Sequence, residues 1–148
     1  MKIYVGADHN GFGLKDEVIQ YLQKHHYTVE DVGDATYDPA DDFPVFAQKA
    51  AVAVLNSEDP DPRAILICGG GQGMAMAANR HRGIRASVIW DEHEAKMTRN
   101  DNDSNVLSLP ARIMEDRQKA YAIIDTWLTT PFAKETRYVR RNQQLDEL

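Results

Sequence analysis

The only cysteine of the chain, Cys68, ends an apolar run and directly precedes a glycine-rich segment, GGGQG. Because glycine has no Cβ, the backbone N–H groups of Gly69, Gly70, Gly71 and Gly73 can approach a ligand closely. The helix expected after this segment adds the positive end of its dipole, which suits a phosphate or an enediolate oxygen. The same position favours a thiolate, so Cys68 could accept a proton. The simpler interpretation is a small buried apolar residue at the end of a strand.

Five further side chains could meet the same ligand. Asp8 and His9 follow the first apolar run, where a carboxylate could hold sugar hydroxyls and an imidazole could bind phosphate or move protons. Arg137 and Arg141 lie four residues apart on one face of the expected C-terminal helix, and guanidinium pairs hold phosphate oxygens. Arg112 is a third candidate anion ligand. The alternatives are a helix cap and a loop histidine for the first pair, and a solvated helix face for the arginines.

The bulk composition excludes several classes of protein. A chain of 148 residues with a formal charge of −6 lacks the basic surface that nucleic acids and anionic membranes require. A single cysteine and the absence of a secretion signal or membrane-spanning run predict a cytoplasmic protein. The other histidines lack metal-ligand spacing, so we expect no metal. We expect one domain over residues 1–148.

Apolar runs with strand and helix periodicity alternate along the whole chain. This alternation predicts a Rossmann-like three-layer α/β/α sandwich with a five-stranded parallel sheet and a C-terminal helix. Ligands of such sheets bind beyond the carboxyl ends of the strands, which here selects the segments after the first and third strands. The predicted strands are 2–7, 28–32, 63–68, 84–90 and 104–109, and the predicted helical segments are 14–22, 44–57, 74–79, 91–100, 120–128 and 134–148.

Six stretches, in order and spacing, resemble one family along nearly the whole chain: ribose 5-phosphate isomerase type B and its galactose 6-phosphate isomerase relatives. They are GADHNGF, DDFP, ICGGGQG with AANR, GIRA, NDSNV and RYVRR. The resemblance implies an aldose–ketose isomerase acting on a phosphorylated sugar, most simply ribose 5-phosphate, through a cis-enediolate. It implies no metal or organic cofactor, and a homodimer or dimer of dimers with shared active sites.

The resemblance also implies a role for each candidate residue. Cys68 is implied as the base that moves the proton, and the amides of segment 69–73 as the anion hole. Asp8 would hold substrate hydroxyls, while the phosphate would be bound by His9, Arg137 and Arg141, with Arg112 as a further ligand. The second subunit would contribute the segment 100–103, which contains Asp101 and Asn102, with Arg112 as a further candidate.

Three positions depart from the family's pattern. Gly70 stands where a threonine or serine is usual, and Phe43 stands where a tyrosine is common. Asp101 aligns with the histidine that opens the sugar ring, and aspartate with its ordinary pKa near 3.9 is a poor acid at neutral pH. Either Asp101 itself opens the ring of a pentose or hexose phosphate, or the substrate cannot close a ring, as for a tetrose 4-phosphate. A catalytically silent sugar-phosphate binding protein and a flavodoxin-like module are the remaining alternatives.

Overall fold

The computed structural model describes residues 1–148, and its centre is a five-stranded parallel sheet with strand order β2-β1-β3-β5-β4. The predicted three-layer α/β/α fold with a C-terminal helix is confirmed. No helix combines the length and the apolar character needed to cross a membrane. The strands are β1 (Lys2–Ala7), β2 (Thr28–Asp31), β3 (Arg63–Cys68), β4 (Ala86–Val88) and β5 (Val106–Pro110), and the helices are α1 (Phe12–Lys24), α2 (Phe43–Leu55), α3 (Gln72–Ala78), α4 (Glu92–Asn102), α5 (Arg117–Thr129) and α6 (Thr136–Asp146).

The two faces of the sheet carry separate apolar cores, because successive side chains of a strand point to opposite faces. On one face, Ile65 and Ile67 of β3 join a cluster with Trp127 and other residues of α1 and α5. On the other face, Leu66 and Cys68 pack with residues of α2 and α3. The central strands are therefore buried on both sides, which explains their continuous apolar sequence.

The strand order reverses between β1 and β3, which pair directly although β2 lies between them in sequence. This reversal opens a crevice beyond their carboxyl ends, as expected for the ligand site of such a sheet. The segment after β1 and the glycine segment after β3 line the crevice. The order of these elements therefore places the two predicted segments side by side.

Both central strands, β1 and β3, begin and end at the predicted residues. The fourth strand is shorter than predicted, spanning Ala86–Val88 instead of 84–90. It lies at the edge of the sheet and pairs only with β5, so its ends lack a second neighbour to extend the ladder. The last helix begins at Thr136 and not at 134, since Lys134 adopts a left-handed conformation with φ +56°.

Candidate active site

Cys68 is the last residue of β3, and its side chain is buried beneath the glycine segment. The N–H of Gly71 donates a hydrogen bond to Sγ at 3.1 Å. Gly71 has φ +71°, a left-handed conformation that favours glycine, and it directly precedes α3. The thiol thus accepts one backbone hydrogen bond and faces the start of a helix.

The glycine segment is closely covered by two side chains from outside it. A Cβ atom on Gly69 would lie 3.0 Å from the guanidinium carbon of Arg112, so this arginine lies directly on the loop. A Cβ atom on Gly73 would lie 2.7 Å from Cζ of Phe43, whose ring therefore forms one wall beside the start of α3. Arg112 reaches the loop of its own chain, so a second subunit is not needed to supply this residue.

Asp8 and His9 stand at the adjacent carboxyl end of β1. The buried Asp8 carboxylate accepts hydrogen bonds from the N–H groups of Asn10 and Gly11 at 2.9 and 3.2 Å through one oxygen, Oδ1. His9 Nδ1 lies 2.6 Å from Oδ1 of Asp41. This hydrogen bond raises the pKa of His9, and the negative charges of Asp8 and Asp41 add to the effect. An imidazolium favoured in this way is suited to bind a phosphate.

Sequence reasoning did not identify Asp41, although it lies in the DDFP stretch. It belongs to the loop before α2, and only the folding of that loop over β1 brings it to His9. Asp8, His9 and Asp41 are the one group whose potential metal-ligand atoms all lie within 4.8 Å of one another. In this arrangement Nδ1 of His9 is directed at Asp41, and Oδ1 of Asp8 is engaged by backbone donors.

The other predicted residues lie beyond the amino ends of the strands, at the opposite end of the sheet from Cys68. They are Asp101, Asn102, Arg137 and Arg141. The carbonyl of Asn102 accepts a hydrogen bond at 3.0 Å from Nε of Arg85, the residue just before β4. That end of the sheet is separated from Cys68 by the length of β3, about 17 Å from Arg63 to Cys68 at the usual rise per residue. These four residues therefore cannot join Cys68 within one chain.

The helix α6 is held at the same end of the sheet, beyond the amino ends of the strands. The carbonyl of Asn100 accepts a hydrogen bond at 3.1 Å from the N–H of Ala133, just before this helix. Arg137 is exposed and donates to the Tyr138 hydroxyl at 3.0 Å and to Glu135 at 3.1 Å. Both contacts raise the pKa of Arg137, and the hydrogen bond to Tyr138 has the larger effect. Arg141 is also exposed and forms no ion pair.

One chain thus gathers the predicted residues into two separate groups. We call the first the thiol half-site, formed by Asp8, His9, Cys68, the glycine segment 69–73 and Arg112. We call the second the arginine half-site, formed by Asp101, Asn102, Arg137 and Arg141. The resemblance assigns the segment with Asp101 and Asn102 to a second subunit. The fold places Arg137 and Arg141 at the same end of the sheet as that segment and not beside Cys68, because α4 and α5 both run back to the amino ends of the strands.

Comparison with known proteins gives a consistent result. Residues 3–145 match the family model described as Ribose/Galactose Isomerase. Ribose-5-phosphate isomerase B of Mycolicibacterium paratuberculosis is 35% identical over 99% of this chain and 91% of its own length. The crystal structure of a ribose 5-phosphate isomerase from Thermotoga maritima superposes with a TM-score of 0.92 at 39% identity, covering 99% of this chain and 98% of that chain. Ribose-5-phosphate isomerase B of Mycoplasma genitalium, solved with bound ribulose-5-phosphate, gives a TM-score of 0.90 at 33% identity over 99% and 94% of the two chains.

Proposed function

Because the chain belongs to the ribose/galactose isomerase family, we propose that it is an aldose–ketose isomerase that interconverts ribose 5-phosphate and ribulose 5-phosphate. The observation that carries this proposal is the position of Cys68 beneath the glycine segment, with the N–H of Gly71 at 3.1 Å from Sγ. An isomerase of this kind needs a base beside donors for a developing oxyanion, and this loop supplies both. The relative solved with bound ribulose-5-phosphate supports the choice of sugar.

The proposed reaction proceeds by transfer of one proton between neighbouring carbons. The Cys68 thiolate removes the proton from C2 of the open-chain aldose phosphate, and the electron pair forms the C1–C2 double bond. The carbonyl oxygen on C1 becomes the enediolate oxygen and is stabilised by N–H groups of the glycine segment. The O2 proton then passes to O1, and the thiol returns its proton to C1, which leaves a ketone at C2.

The remaining residues of the thiol half-site bind the substrate in this proposal. Asp8 accepts hydrogen bonds from sugar hydroxyls through its second oxygen, Oδ2, because Oδ1 is engaged by backbone N–H groups. His9 and Arg112 contribute positive charge toward the phosphate. The exposed guanidinium groups of Arg137 and Arg141 are the further phosphate ligands, since bidentate arginines suit phosphate oxygens.

A second copy of the chain must complete each site, because the arginine half-site lies at the amino ends of the strands and the thiol half-site at their carboxyl ends. We therefore assign a homodimer, or a dimer of dimers, in which the arginine half-site of one subunit faces the thiol half-site of the other. A twofold axis gives two equivalent composite sites, since such an interface repeats each contact twice. The cytoplasm remains the compartment we propose, because the function requires a reduced thiol at Cys68.

The direct test is an isomerase assay with ribose 5-phosphate, comparing the wild type with Cys68→Ala and Cys68→Ser. We expect turnover by the wild type and a loss of about a thousand-fold in both variants, because a positioned general base contributes at that level. The serine variant preserves the volume and polarity of the side chain but not its basicity. Binding of ribose 5-phosphate by the wild type without turnover, and without exchange of the C2 proton with solvent, would instead identify a silent sugar-phosphate binding protein.

A second candidate substrate is a tetrose 4-phosphate, and the observation that favours it is Asp101 in the place of a ring-opening histidine. A tetrose 4-phosphate has its O4 esterified and forms no furanose, so it requires no ring opening. The two substrates are distinguished by the dependence of rate on enzyme concentration. If the enzyme cannot open rings, the rate on ribose 5-phosphate reaches a ceiling set by spontaneous opening, whereas the rate on the tetrose 4-phosphate remains proportional to enzyme. Proportional rates on both substrates would assign ring opening to the enzyme.

A further inference from the structure

Ser108, in the middle of β5, is completely buried on the face of the sheet that packs against α2 and α3. Its neighbours across the sheet are Leu66 and Val88, and the adjoining core is apolar. A hydroxyl in such surroundings is unfavourable unless it forms a hydrogen bond. The Ser108 hydroxyl donates to the carbonyl of Gly71 at 2.6 Å, and this is its one side-chain hydrogen bond.

A second hydrogen bond, from the turn that follows the same strand, holds the first glycine of the segment. The N–H of Arg112 in this turn donates to the carbonyl of Gly69 at 3.1 Å. Two carbonyls of the glycine segment, those of Gly69 and Gly71, are thus directed toward the β5 side of the loop. The strand β5 and the turn after it therefore fix the orientation of two peptide groups, which the glycines themselves have no side chains to do.

The orientation of these carbonyls determines where the neighbouring N–H groups point. The chain has no cis peptide bond, and in a planar trans peptide the N–H points opposite to the carbonyl of the same unit. The N–H groups of Gly70 and Gln72 therefore point away from β5 and toward the crevice. Neither donates a hydrogen bond to another backbone group of the chain, so both are free for a ligand oxygen.

We propose that Ser108 is a positioning residue for the isomerisation: its hydrogen bond to the Gly71 carbonyl holds that peptide with the Gln72 N–H toward the enediolate oxygen. This inference rests on the function proposed above, because it assigns that donor to the reaction. Preorganised donors stabilise a transition state without a cost of reorganisation when charge develops. Ser108 itself does not touch the substrate.

The test is the variant Ser108→Ala, with Ser87→Ala as the matched control. Ser87 lies on the neighbouring strand β4, and its hydroxyl forms an equally short bond of 2.6 Å to Thr98, remote from the glycine segment. For Ser108→Ala we expect kcat to fall about tenfold, less than the loss of a complete oxyanion donor, with KM changed less than twofold. Ser87→Ala should retain wild-type kcat. Ser108→Thr, which keeps the hydroxyl on a residue suited to strands, should recover most of the activity.

A second measurement separates this inference from the proposed function. The rate of Cys68 alkylation by iodoacetamide is measured at one pH in the wild type and the variants, which requires no isomerase activity. Because the thiol is buried beneath the glycine segment, loss of the hydrogen bond that holds Gly71 should raise this rate in Ser108→Ala but not in Ser87→Ala. A wild type without isomerase activity, together with faster alkylation of Ser108→Ala, would overturn the proposed function and retain the role of Ser108 in holding the segment. Identical alkylation rates and kcat values in Ser108→Ala and the wild type would overturn the positioning role.

Discussion

His9 and Asp41 form a hydrogen bond of 2.6 Å between Nδ1 and Oδ1, although 32 positions separate them in the sequence. Because this bond raises the pKa of His9, the imidazolium persists to higher pH than in a free histidine, whose pKa is about 6.5. The pair contributes stability below the ordinary pKa and loses it as the pH rises through the raised value. Phosphate affinity should likewise fall as the pH rises through this value, because it depends on the positive charge of His9.

The first prediction concerns the pH dependence of substrate binding. In the wild type, KM for ribose 5-phosphate should rise as the pH passes through the raised pKa of His9, because phosphate then loses a cationic ligand. In Asp41→Asn the rise should begin at lower pH, since the principal cause of the shift has been removed. Asp38→Asn is the control, because Asp38 contributes the smallest of the effects on His9. Equal profiles for Asp41→Asn and the wild type would contradict the role of the pair.

The second prediction uses the contact between Gly73 and Phe43. In Gly73→Ala the new Cβ would lie 2.7 Å from the Phe43 ring, which is partly exposed and must move toward the crevice. We expect kcat/KM to fall about tenfold, because small displacements at a reacting site have effects of this order or larger. The double variant Gly73→Ala with Phe43→Leu should regain part of the activity.

A matched control for Gly73→Ala is Gly13→Ala. Gly13 is in the first turn of α1, and a Cβ atom there meets nothing within 4 Å. This variant should retain activity and gain stability, by up to about 1 kcal/mol for a glycine-to-alanine change in a helix. A loss of activity in Gly73→Ala that Phe43→Leu does not relieve would show that the ring is not the cause.

The thiol half-site could be predicted from the sequence because its residues follow directly on buried strands. The apolar runs ending at Ala7 and Cys68 fix where the crevice begins, and parallel strands bring their carboxyl ends together. Asp41 was missed because it belongs to a loop whose path over β1 is set by tertiary packing, and no local periodicity marks it. The hydroxyl of Ser108 was missed for a related reason, since a single serine within an apolar strand gives no pattern.

The location of the arginine half-site could have been derived from topology but was not. In a parallel sheet each crossover helix returns the chain from the carboxyl ends of the strands to their amino ends. The end of α4 must therefore lie at the opposite end of the sheet from Cys68. The four-residue spacing of Arg137 and Arg141 placed them on one helix face but did not show at which end of the sheet that helix lies. The spacing of residues within one element therefore indicates which side chains share a face, but not which residues of other elements they meet.

The third prediction concerns the buried guanidinium of Arg63, at the start of β3. It donates to the carbonyls of Trp127 and Leu128 at 3.0 and 3.3 Å, in the last turn of α5, and pairs with Asp61. Arg63→Met should lower the free energy of unfolding by about 2 kcal/mol, because the carbonyls of Trp127 and Leu128 lose a charged hydrogen-bond donor. The pair with Asp61 adds little, since the Asp61 side chain is about half exposed. Urea denaturation measures this effect.

The control for Arg63→Met is Lys2→Met. Lys2 also pairs with a carboxylate, Glu30, at 2.7 Å, but both side chains are at least a third exposed and the ammonium holds no carbonyl. An exposed pair contributes little to stability, so this variant should change the free energy of unfolding little. Similar losses in the two variants would contradict the importance of the α5 carbonyls that Arg63 holds.

The last prediction tests the composite site through mixed oligomers. Cys68→Ala lacks the base of the thiol half-site, and Arg141→Ala lacks a phosphate ligand of the arginine half-site, so each variant alone should be nearly inactive. In a mixed dimer one composite site receives both defects and the other receives none. Random mixing gives mixed dimers as half of the population, each with one intact site, so activity should recover to about a quarter of the wild type.

Recovery requires that the subunits exchange, which is achieved by unfolding and refolding the two variants together. The control is a mixture of Cys68→Ala with Cys68→Ser, in which every composite site lacks the base and activity cannot recover. If each chain held a complete site, the mixture of Cys68→Ala and Arg141→Ala would show only the sum of two residual activities. That outcome is difficult to reconcile with the separation of the half-sites by the length of β3, about 17 Å. Recovery to about a quarter would show that the active site is shared between subunits.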